Sequence, residues 1–467
     1  MHKKINFGEI LLPYFFDKQV SNSIPLWVVK KGNLNDWLSG YPKSFATWLN
    51  SNDFKEVNGN FIVIPKPSGK IAGLLVIVPK KISIWSIAEI PTKIKNQCFV
   101  ITGKITSEEE TRLLIGWGLG TYRFDQYKKK NFEFSSIYIS KKVDWEKAKR
   151  EIEATFLVRN LVNTPANDLG PGEFEVSAKN LSNDYNADIE TIIGNELSIN
   201  FPTINTVGEA SYRAPRLIDI KWEKKNKPKV VLIGKSVCFD SGGLDIKSSI
   251  GMRKMKKDMG GGAIALGLAY MIMDAGLNLD LRVLLPTVEN VIGSKAYKPG
   301  DIIKTKSGIT VEIGNTDAEG RLILADAITE ANKRNPDLII SIATLTGAAR
   351  VALGAELPAV FSNNEELISE LKINCENQED YFWQLPLWKD YEKHIESGVA
   401  DLSNSGNTSF AGAITAALFL LKFVKNKKDF IHIDAYSWND RAQAGRPIGG
   451  EASLLRGLFS FLQNRYN

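Results

Sequence analysis

The stretch KVVLIGKSVCFDSGGLDIK, residues 229–247, decides the fold. It opens with an apolar run of strand length and continues into a polar loop that contains glycine. The same order of strand, loop and helix then recurs downstream. GGAIALGLAYMIMDAG (261–276) and RLILADAITEANKR (321–334) predict helices, and LRVLLP (281–286), LIISIA (338–343) and FIHIDA (430–435) predict strands. We therefore predict an α/β fold with a central mixed sheet flanked by helices.

The pattern divides the chain into two domains joined by a helix. Residues 1–143 predict a small N-terminal α/β domain, with strands at NFIVI (60–64), AGLLVIV (72–78) and QCFVITG (97–103). A helix over residues 107–124 would start with a capping box formed by Ser107 and Glu110. The linking helix, residues 144–165, should end near Asn163 because Pro165 disfavours helix in the preceding residue. Residues 166–467 form the larger C-terminal α/β domain, where ligands are expected beyond the carboxyl ends of the strands.

Composition narrows the class of protein. The chain has 467 residues, 43% of them hydrophobic and 24% charged, and its net charge of +6 comes from scattered lysines. Nucleic-acid binding is therefore not required by the charge. Cys98, Cys238 and Cys375 are far apart, odd in number and without a metal-ligand spacing. A disulfide framework is therefore not expected, which favours a reducing compartment. No signal peptide and no apolar run of ~20 residues is recognised, so we expect a soluble cytoplasmic protein without a membrane segment.

Three loops of the C-terminal domain collect carboxylates and cations just after apolar strands. They are GKSVCFDSGGLDIK (234–247), MKKDMGGG (255–262) and NTDAEGRL (315–322). Together they contribute the acids Asp240, Asp258, Asp317 and Glu319 and the cations Lys235, Lys247 and Arg321. Loops that follow strands of one sheet meet at the same edge, so these groups are predicted to lie together.

Each loop also has a purely structural interpretation. NTD before a helix is a good N-cap, DSGG is a plausible turn, and the glycines of KKDMGGG permit close backbone packing. The two lysines would then be solvated surface charges. A phosphate-binding loop at GKS is excluded, since that motif needs a glycine where Lys229 stands.

The histidines exclude other catalytic arrangements. His2, His394 and His432 do not adjoin the three loops, so neither a Ser–His–Asp triad nor a histidine-rich zinc site is expected. His432 alternates within a predicted strand and is interpreted as a core or supporting residue. A metal site would therefore be built from carboxylates, which favours hard or borderline dications. Two dications would balance the four acids and leave Lys247 and Arg321 as a positive surplus that suits a developing oxyanion.

These loops resemble the leucyl (cytosol) aminopeptidases, which are dinuclear zinc or manganese exopeptidases. The resemblance extends over roughly residues 159–456 and is loose in the N-terminal part. It includes RNLVNTPANDLGP (159–171), ATLTGAA (343–349), AGAITAALFL (411–420) and HIDAYSWN (432–439). It implies release of N-terminal amino acids from peptides, with Leu or Met preferred, by attack of a water that two metal ions activate.

The resemblance also implies roles for individual residues. Lys235, Asp240, Asp258 and Glu319 would bind one metal ion, and Asp240, Asp317 and Glu319 the other. Lys247 and Arg321 would be the catalytic pair, with bicarbonate held at Arg321. The metals would be Zn²⁺ or Mn²⁺, with Mg²⁺ as an alternative in one site. A ligating Lys235 must be neutral, which requires its pKa to fall by more than ~3 units, whereas Lys247 must stay protonated.

The substrate pocket and the assembly are implied by the same resemblance. Substrate contacts are expected from Met255, Thr344, Leu345, Gly347, Ala435 and Trp438. Apolar core packing is the alternative for each of them. Relatives are homohexamers, which is expected here. Two other functions stay open: a DNA-binding regulatory role of the same hexamer, and a two-metal phosphoesterase, which is not expected to use a metal-ligating lysine.

Overall fold

A computed structural model describes residues 12–18, 22–128 and 132–467. The described chain forms two compact units. The C-terminal unit contains Leu157–Asp440 and Ile448–Asn467. The N-terminal unit contains the described residues up to Phe156, together with Arg441–Pro447. Residues 1–11, on which the absence of a signal peptide was predicted, lie outside the described residues.

The N-terminal unit is built on a six-stranded mixed sheet. Its strand order is β1-β6-β5-β2-β4-β3, and all neighbours are parallel except β3 and β4. The strands are β1 (Phe15–Phe16), β2 (Ile24–Lys30), β3 (Phe61–Pro65), β4 (Ile71–Val78), β5 (Cys98–Thr102) and β6 (Ser136–Tyr138). The helices are α1 (Leu34–Ser39), α2 (Lys43–Ser51), α3 (Ile90–Lys93) and α4 (Ser107–Thr121). The three strands predicted here, β3, β4 and β5, are confirmed, whereas β1, β2 and β6 were not predicted.

The capping box of α4 lies one residue earlier than predicted. Thr106, not Ser107, is the N-cap: its hydroxyl accepts from the backbone N–H of Glu109 at 3.2 Å. The Glu109 carboxylate in turn accepts from the N–H of Thr106 at 2.9 Å. Both Thr106–Glu109 and Ser107–Glu110 match the sequence template, and the structure uses the first pair.

A 19-residue helix, α5 (Trp145–Asn163), corresponds to the predicted linking helix. Thr164 still donates its backbone N–H to the carbonyl of Asn160, and Pro165 follows. The domain boundaries proposed around this helix remain a prediction.

The C-terminal unit contains a nine-stranded mixed sheet. Along it the order is β16-β15-β18-β14-β9-β11-β8-β7, with β10 paired to β11. The strands of this unit are β7 (Asp188–Ile193), β8 (Arg216–Trp222), β9 (Lys229–Gly234), β10 (Ser236–Asp240), β11 (Asp280–Asn290), β12 (Ile302–Lys304), β13 (Thr310–Glu312), β14 (Leu338–Ala343), β15 (Ala359–Phe361), β16 (Trp383–Gln384), β17 (Leu402–Ser403), β18 (Phe430–Asp434), β19 (Trp438–Asn439) and β20 (Gly449–Gly450). The central neighbours β18, β14, β9 and β11 are mutually parallel, so their carboxyl ends share one edge.

Helices cover both faces of this sheet. They are α6 (Pro171–Asp184), α7 (Gly194–Asn200), α8 (Pro202–Gly208), α9 (Ser249–Met252), α10 (Gly260–Asp274), α11 (Glu319–Ala331), α12 (Gly347–Leu353), α13 (Glu365–Asn377), α14 (Gly412–Leu421) and α15 (Leu455–Tyr466). On one face Val231 and Ile233 of β9 pack in a core with α8, α11 and α14. Successive side chains of a strand point to opposite faces, and α10 packs on the other one together with α15. The predicted α/β class, with a mixed sheet between helices, is confirmed.

None of the helices in the described part of the chain combines the length and the apolar character that crossing a bilayer requires.

Candidate active site

The site lies at the shared carboxyl edge of the central parallel strands. Lys235 follows β9, Thr344 follows β14, and Ala435 follows β18. Strands β9 and β10 both pair with β11, and Lys235 is the residue between them. Its backbone N–H donates to the carbonyl of Ile342 on β14 at 2.9 Å. The break in the ladder therefore fixes the Lys235 backbone while its side chain enters the site.

Lys235 is buried among carboxylates. Its Nζ lies 2.8 Å from Asp258 Oδ2 and 2.8 Å from Glu319 Oε1, and it donates to the carbonyl of Thr344 at 3.0 Å. Burial lowers the pKa of this amine, but the charges of Asp258, Glu319 and Asp240 outweigh burial and hold the pKa above its ordinary value. The ammonium of Lys235 offsets part of the negative charge of these acids.

Gly320 makes room for this lysine. A Cβ at Gly320 would lie 2.7 Å from Cε and 2.8 Å from Nζ of Lys235. The glycine of the NTDAEGRL stretch is thus required because the lysine side chain passes directly over the first turn of α11.

Lys247 occupies the other side of the carboxylate group. Its Nζ lies 2.8 Å from Asp240 Oδ2 and also forms an ion pair with Asp317. Burial lowers the pKa of Lys247, and the neighbouring charges of Asp240 and Glu319 raise it by more, so the side chain is an ammonium. Neither lysine is the solvated surface charge of the alternative interpretation.

The four predicted acids converge. Ligand oxygens of Asp240, Asp317 and Glu319 all lie within 4.8 Å of one another. Asp258 joins them through Lys235, since Asp258 and Glu319 contact the same Nζ. Burial, followed by repulsion from Asp240, raises the pKa of Glu319 and of Asp317. These carboxylates are therefore crowded beyond what two ammonium groups offset.

The donor set fits divalent cations. Asp258 Oδ2 and Glu319 Oε1 are buried and make ion-pair contacts with Lys235 but, among the described residues, no hydrogen bond of good geometry. Buried carboxylate oxygens without hydrogen bonds are costly, and a cation would satisfy them. Carboxylate oxygens with one amine form a hard to borderline ligand set, which suits Mn²⁺, Zn²⁺ or Mg²⁺.

A hydrogen-bond network missed by sequence reasoning holds the acids in place. Asn290, at the end of β11, donates its Nδ2 to Asp240 Oδ1 at 2.8 Å and to the carbonyl of Thr316 at 3.1 Å. The hydroxyl of Tyr297 donates to the same carbonyl at 2.6 Å. The loop that carries Asp240 is thereby tied to the loop that carries Asp317. The sequence signal that could have identified Asn290 is its position at the polar end of the otherwise apolar strand β11.

The N-cap interpretation of NTD is wrong. The residue before α11 is Ala318, and no side chain caps that helix. Asn315 instead accepts the backbone N–H of Asp317 at 2.7 Å, which shapes the loop that presents Asp317. Glu319 is the first residue of α11, so its position follows from where the helix starts.

Arg321 is buried behind Glu319 rather than exposed to the cavity described next. It is 8% exposed, and its Nε has no hydrogen-bond partner among the described residues. Burial lowers the pKa of the guanidinium to about 10, against the attraction of Glu319 and Asp434. His432 is also buried, as expected for a core residue, and its Nδ1 forms a hydrogen bond with Ser341 Oγ at 3.3 Å.

A cavity of about 360 Å³ opens onto the carboxylates. Five of the six predicted substrate-contact residues line it: Met255, Thr344, Leu345, Gly347 and Ala435. The sixth, Trp438, does not. Thr344 also donates its hydroxyl to Asp258 Oδ1 at 2.7 Å. Asp434 accepts from the N–H groups of Leu345 and Thr346 at 2.9 and 3.1 Å, and so shapes this wall. Lys257, Thr346, Arg350 and Tyr436 line the cavity as well, although the motifs did not single them out.

Comparisons with known proteins show the family to which this chain belongs. The catalytic domain of the cytosol aminopeptidase family matches residues 156–458, and the N-terminal domain of M17 aminopeptidases matches residues 24–140. The chain is 37% identical over 369 residues to a probable cytosol aminopeptidase of Geobacter sp. (strain M21), covering 75% of this chain and 74% of that one. Against the probable cytosol aminopeptidase of Prochlorococcus marinus it is 33% identical, covering 89% and 83%.

Solved structures point the same way. The crystal structure of cytosol aminopeptidase from Coxiella burnetii superposes with a TM-score of 0.93 at 41% identity, covering 97% of this chain and 99% of that one. The bottromycin maturation enzyme BotP in complex with Mn gives a TM-score of 0.85 at 27% identity, covering 95% and 100%. The resemblance inferred from the motifs is thus confirmed: the chain belongs to the M17 cytosol aminopeptidase family and is a hydrolase, an aminopeptidase of a metal-dependent type.

Proposed function

We propose that the chain releases N-terminal residues from peptides with two divalent metal ions held in the carboxylate site. Lys235, Asp240, Asp258 and Glu319 would hold one ion, and Asp240, Asp317 and Glu319 the other. The single observation that carries this proposal is the convergence of three carboxylates within 4.8 Å, with Asp258 connected to Glu319 through Lys235. Zn²⁺ or Mn²⁺ is expected, with Mg²⁺ as an alternative in one position.

The metals, when bound, would supply an activated water and polarise the scissile carbonyl. Lys235 must then act as a neutral amine, so metal binding is linked to release of its proton. Lys247 would keep its proton, because its side chain is less buried than that of Lys235. Its ammonium is the group that would donate to the carbonyl oxygen as negative charge develops there.

Arg321 is the proposed holder of a bicarbonate anion. Its burial and its Nε without a hydrogen-bond partner support a role in binding an anion. The guanidinium would orient that anion by paired hydrogen bonds. Because Arg321 does not line the cavity in the absence of ligands, anion binding needs its own test. Added bicarbonate should raise the peptidase activity of the wild type but should not raise that of the Arg321→Ala variant.

The cavity supports a preference for Leu or Met at the substrate N-terminus through part of its wall. Met255 and Ala435 offer apolar contacts, and Gly347 leaves space for a side chain. Trp438 is not part of this wall, so it is not expected to narrow the pocket. Thr344 and Leu345 are the proposed contacts for the peptide backbone.

Hydrolysis of leucyl-anilide and of leucyl dipeptides, with Mn²⁺ or Zn²⁺ added, tests the proposal. We expect activity that is lost on chelation, restored by metal, and abolished in Lys247→Ala. Anomalous scattering from metal-soaked crystals should show two ions among the named side chains. Activity that persists after both chelation and the Lys247 substitution would contradict the mechanism.

The assembly and the location of the protein remain predictions from the family resemblance. A homohexamer is expected, with a mass by light scattering six times that of one chain. The largely exposed side chains of Ile250, Val351 and Phe410 support it, since exposed apolar groups are commonly covered in assemblies. A cytoplasmic location is proposed, in agreement with three free cysteines. A gel shift with duplex DNA at low salt and an assay on a generic phosphate ester test the two alternative functions.

A further inference from the structure

Two cations of the cavity wall are not used by the proposed metal site. Lys257, which is 4% exposed, and Arg350, at the more open side, both line the cavity. Lys257 Nζ lies 4.7 Å from the ring centroid of Tyr436, and Arg350 Cζ lies 5.0 Å from the same centroid. One aromatic ring therefore orients both cations beside the carboxylates.

These cations differ from Lys235 and Lys247 because, among the described residues, no carboxylate forms an ion pair with either of them. Lys235 and Lys247 each contact carboxylates at 2.8 Å. Within the described part of the chain, neither Lys257 nor Arg350 forms an ion pair or a side-chain hydrogen bond. An aromatic ring attracts a cation but does not neutralise its charge. Asp258 and Asp434 attract Lys257 electrostatically, but within the described residues neither forms an ion pair with it. A carboxylate brought by a ligand and placed against Lys257 and Arg350 would therefore stabilise both charges.

We propose that Lys257 and Arg350 form a carboxylate-binding subsite for the substrate, which admits an acidic side chain, Glu or Asp, as the first residue in addition to Leu or Met. This inference rests on the proposed aminopeptidase function. The free C-terminal carboxylate of a dipeptide has the same chemistry as an acidic side chain. The experiment therefore distinguishes these two sources of the carboxylate.

The placement of the two cations favours the first side chain as the source. Lys257 lies two residues after Met255 on the short 3-10 helix Met255–Met259. Arg350 lies about one turn after Gly347 on α12, and Tyr436 directly follows Ala435. Lys257, Arg350 and Tyr436 thus lie within three residues of the predicted pocket residues Met255, Gly347 and Ala435, respectively. The methylene groups of a glutamate would contact Met255 and Ala435, and its carboxylate would contact the two cations. Leu and Met remain acceptable because their side chains would make the same apolar contacts.

The test compares substrates that differ only in charge. Turnover of glutamyl-anilide, glutaminyl-anilide and leucyl-anilide is measured for the wild type, Lys257→Met and Arg350→Met, each loaded with Mn²⁺. We expect each variant to lower the ratio of kcat/KM for the glutamyl over the glutaminyl substrate by about tenfold, because a charged hydrogen bond is lost. Measurable leucyl-anilide turnover in each variant shows that it folds and binds metal. Lys257→Arg should keep most of the ratio.

A second arm identifies the source of the carboxylate. Anilides have no C-terminal carboxylate, so Leu-Gly is compared with Leu-Gly amide in the same variants. A loss confined to Leu-Gly would retain the subsite and assign it to the C-terminus of dipeptides. If neither ratio changes in Lys257→Met or Arg350→Met, the subsite does not exist.

A matched control and a binding assay separate this inference from the function on which it rests. Lys254→Met removes a charge from the same segment, but Lys254 pairs with Asp440 and does not line the cavity, so both ratios should stay at the wild-type value. Calorimetric binding of free glutamate and free leucine to the Mn²⁺-loaded protein does not require turnover. Tighter glutamate binding that is weakened in Lys257→Met would support the subsite even if no peptide were cleaved. Equal glutamate binding by the variant and the wild type would overturn it.

Discussion

Replacing Asn290 by alanine should weaken metal binding, although Asn290 is not itself a proposed metal ligand. The side chain is completely buried and donates to Asp240 Oδ1 at 2.8 Å and to the carbonyl of Thr316 at 3.1 Å. Asp240 Oδ1 would keep only the N–H of Gly242, at 2.9 Å. Asp240 could then rotate, and the loop before Asp317 would lose its tie to β11.

The size of the effect follows from these two hydrogen bonds. Loss of one bond to a carboxylate and one to a carbonyl predicts that the free energy of unfolding falls by about 3 kcal/mol. Groups that orient metal-ligating carboxylates typically contribute about 10–100-fold to metal affinity. We therefore expect activity titrated against buffered free Mn²⁺ to reach its midpoint at a concentration higher by about that factor. Maximal turnover at saturating metal should recover in large part, because the ligands themselves remain.

Tyr297→Phe is the matched control. Its hydroxyl donates to the carbonyl of Thr316 at 2.6 Å and forms no bond to Asp240 in the described structure, so the variant should lose about 1 kcal/mol of stability. Urea unfolding in the presence of chelator measures stability, and the Mn²⁺ titration measures affinity. An Asn290→Ala variant with the stability loss but with an unchanged Mn²⁺ midpoint would refute the reasoning.

Three further predictions concern other parts of the chain. Gly320→Ala should lower metal affinity and activity, because the new Cβ would displace the end of the Lys235 side chain, 2.7–2.8 Å away. Stability in urea should change little, because alanine favours the helix. Unfolding of the variant without a change in the midpoint of the metal titration would contradict this. Burial and, to a lesser extent, the charge of Arg321 lower the pKa of His432 to about 3, so the unfolded chain gains a proton below its ordinary pKa of 6.5 while the folded chain does not. The free energy of unfolding of the metal-free protein should therefore fall with decreasing pH between these values by up to about 1.4 kcal/mol per pH unit, and this part should vanish in His432→Gln. Thr106→Ala should cost about 1 kcal/mol in unfolding of the N-terminal unit and leave kcat/KM unchanged, whereas Ser107→Ala, which removes the wrong cap, should have a smaller effect on stability.

The elements that sequence could predict are those whose apolar runs are long and unambiguous. Strands β9, β14 and β18 and helices α10 and α11 were recognised because they are nearly completely buried. The capping box of α4 was misplaced by one residue, since Thr106 and Ser107 are both good caps and three glutamates follow. Local preference could not choose between these pairs, and the hydrogen bonds of the folded chain do.

The site shows the same limit at longer range. Its acids could be predicted to converge because they follow strands of one sheet. Asn290 is 50 residues from Asp240 along the chain, and its contact depends on the register of β10 against β11, in which Asp240 is opposite Asn290. The register is set by the bulge around Cys238 and could not be derived from periodicity. Lys257 was inconspicuous for another reason: a lysine next to another lysine is normally a solvated charge.

The structure also explains why two lysines of one loop could have opposite protonation states in the proposed site. The side chain of Lys235 is 3% exposed, and that of Lys247 is 15% exposed. Burial favours the neutral amine in both, and only the carboxylates reverse this. Divalent cations that share Asp258, Glu319 and Asp240 would cancel the charges that keep Lys235 protonated while its burial remains. Lys247 is better solvated at the cavity, where water stabilises an ammonium, so the same loss of negative charge affects it less. The difference in burial between the two side chains is therefore the reason for proposing metal binding by Lys235 and proton donation by Lys247.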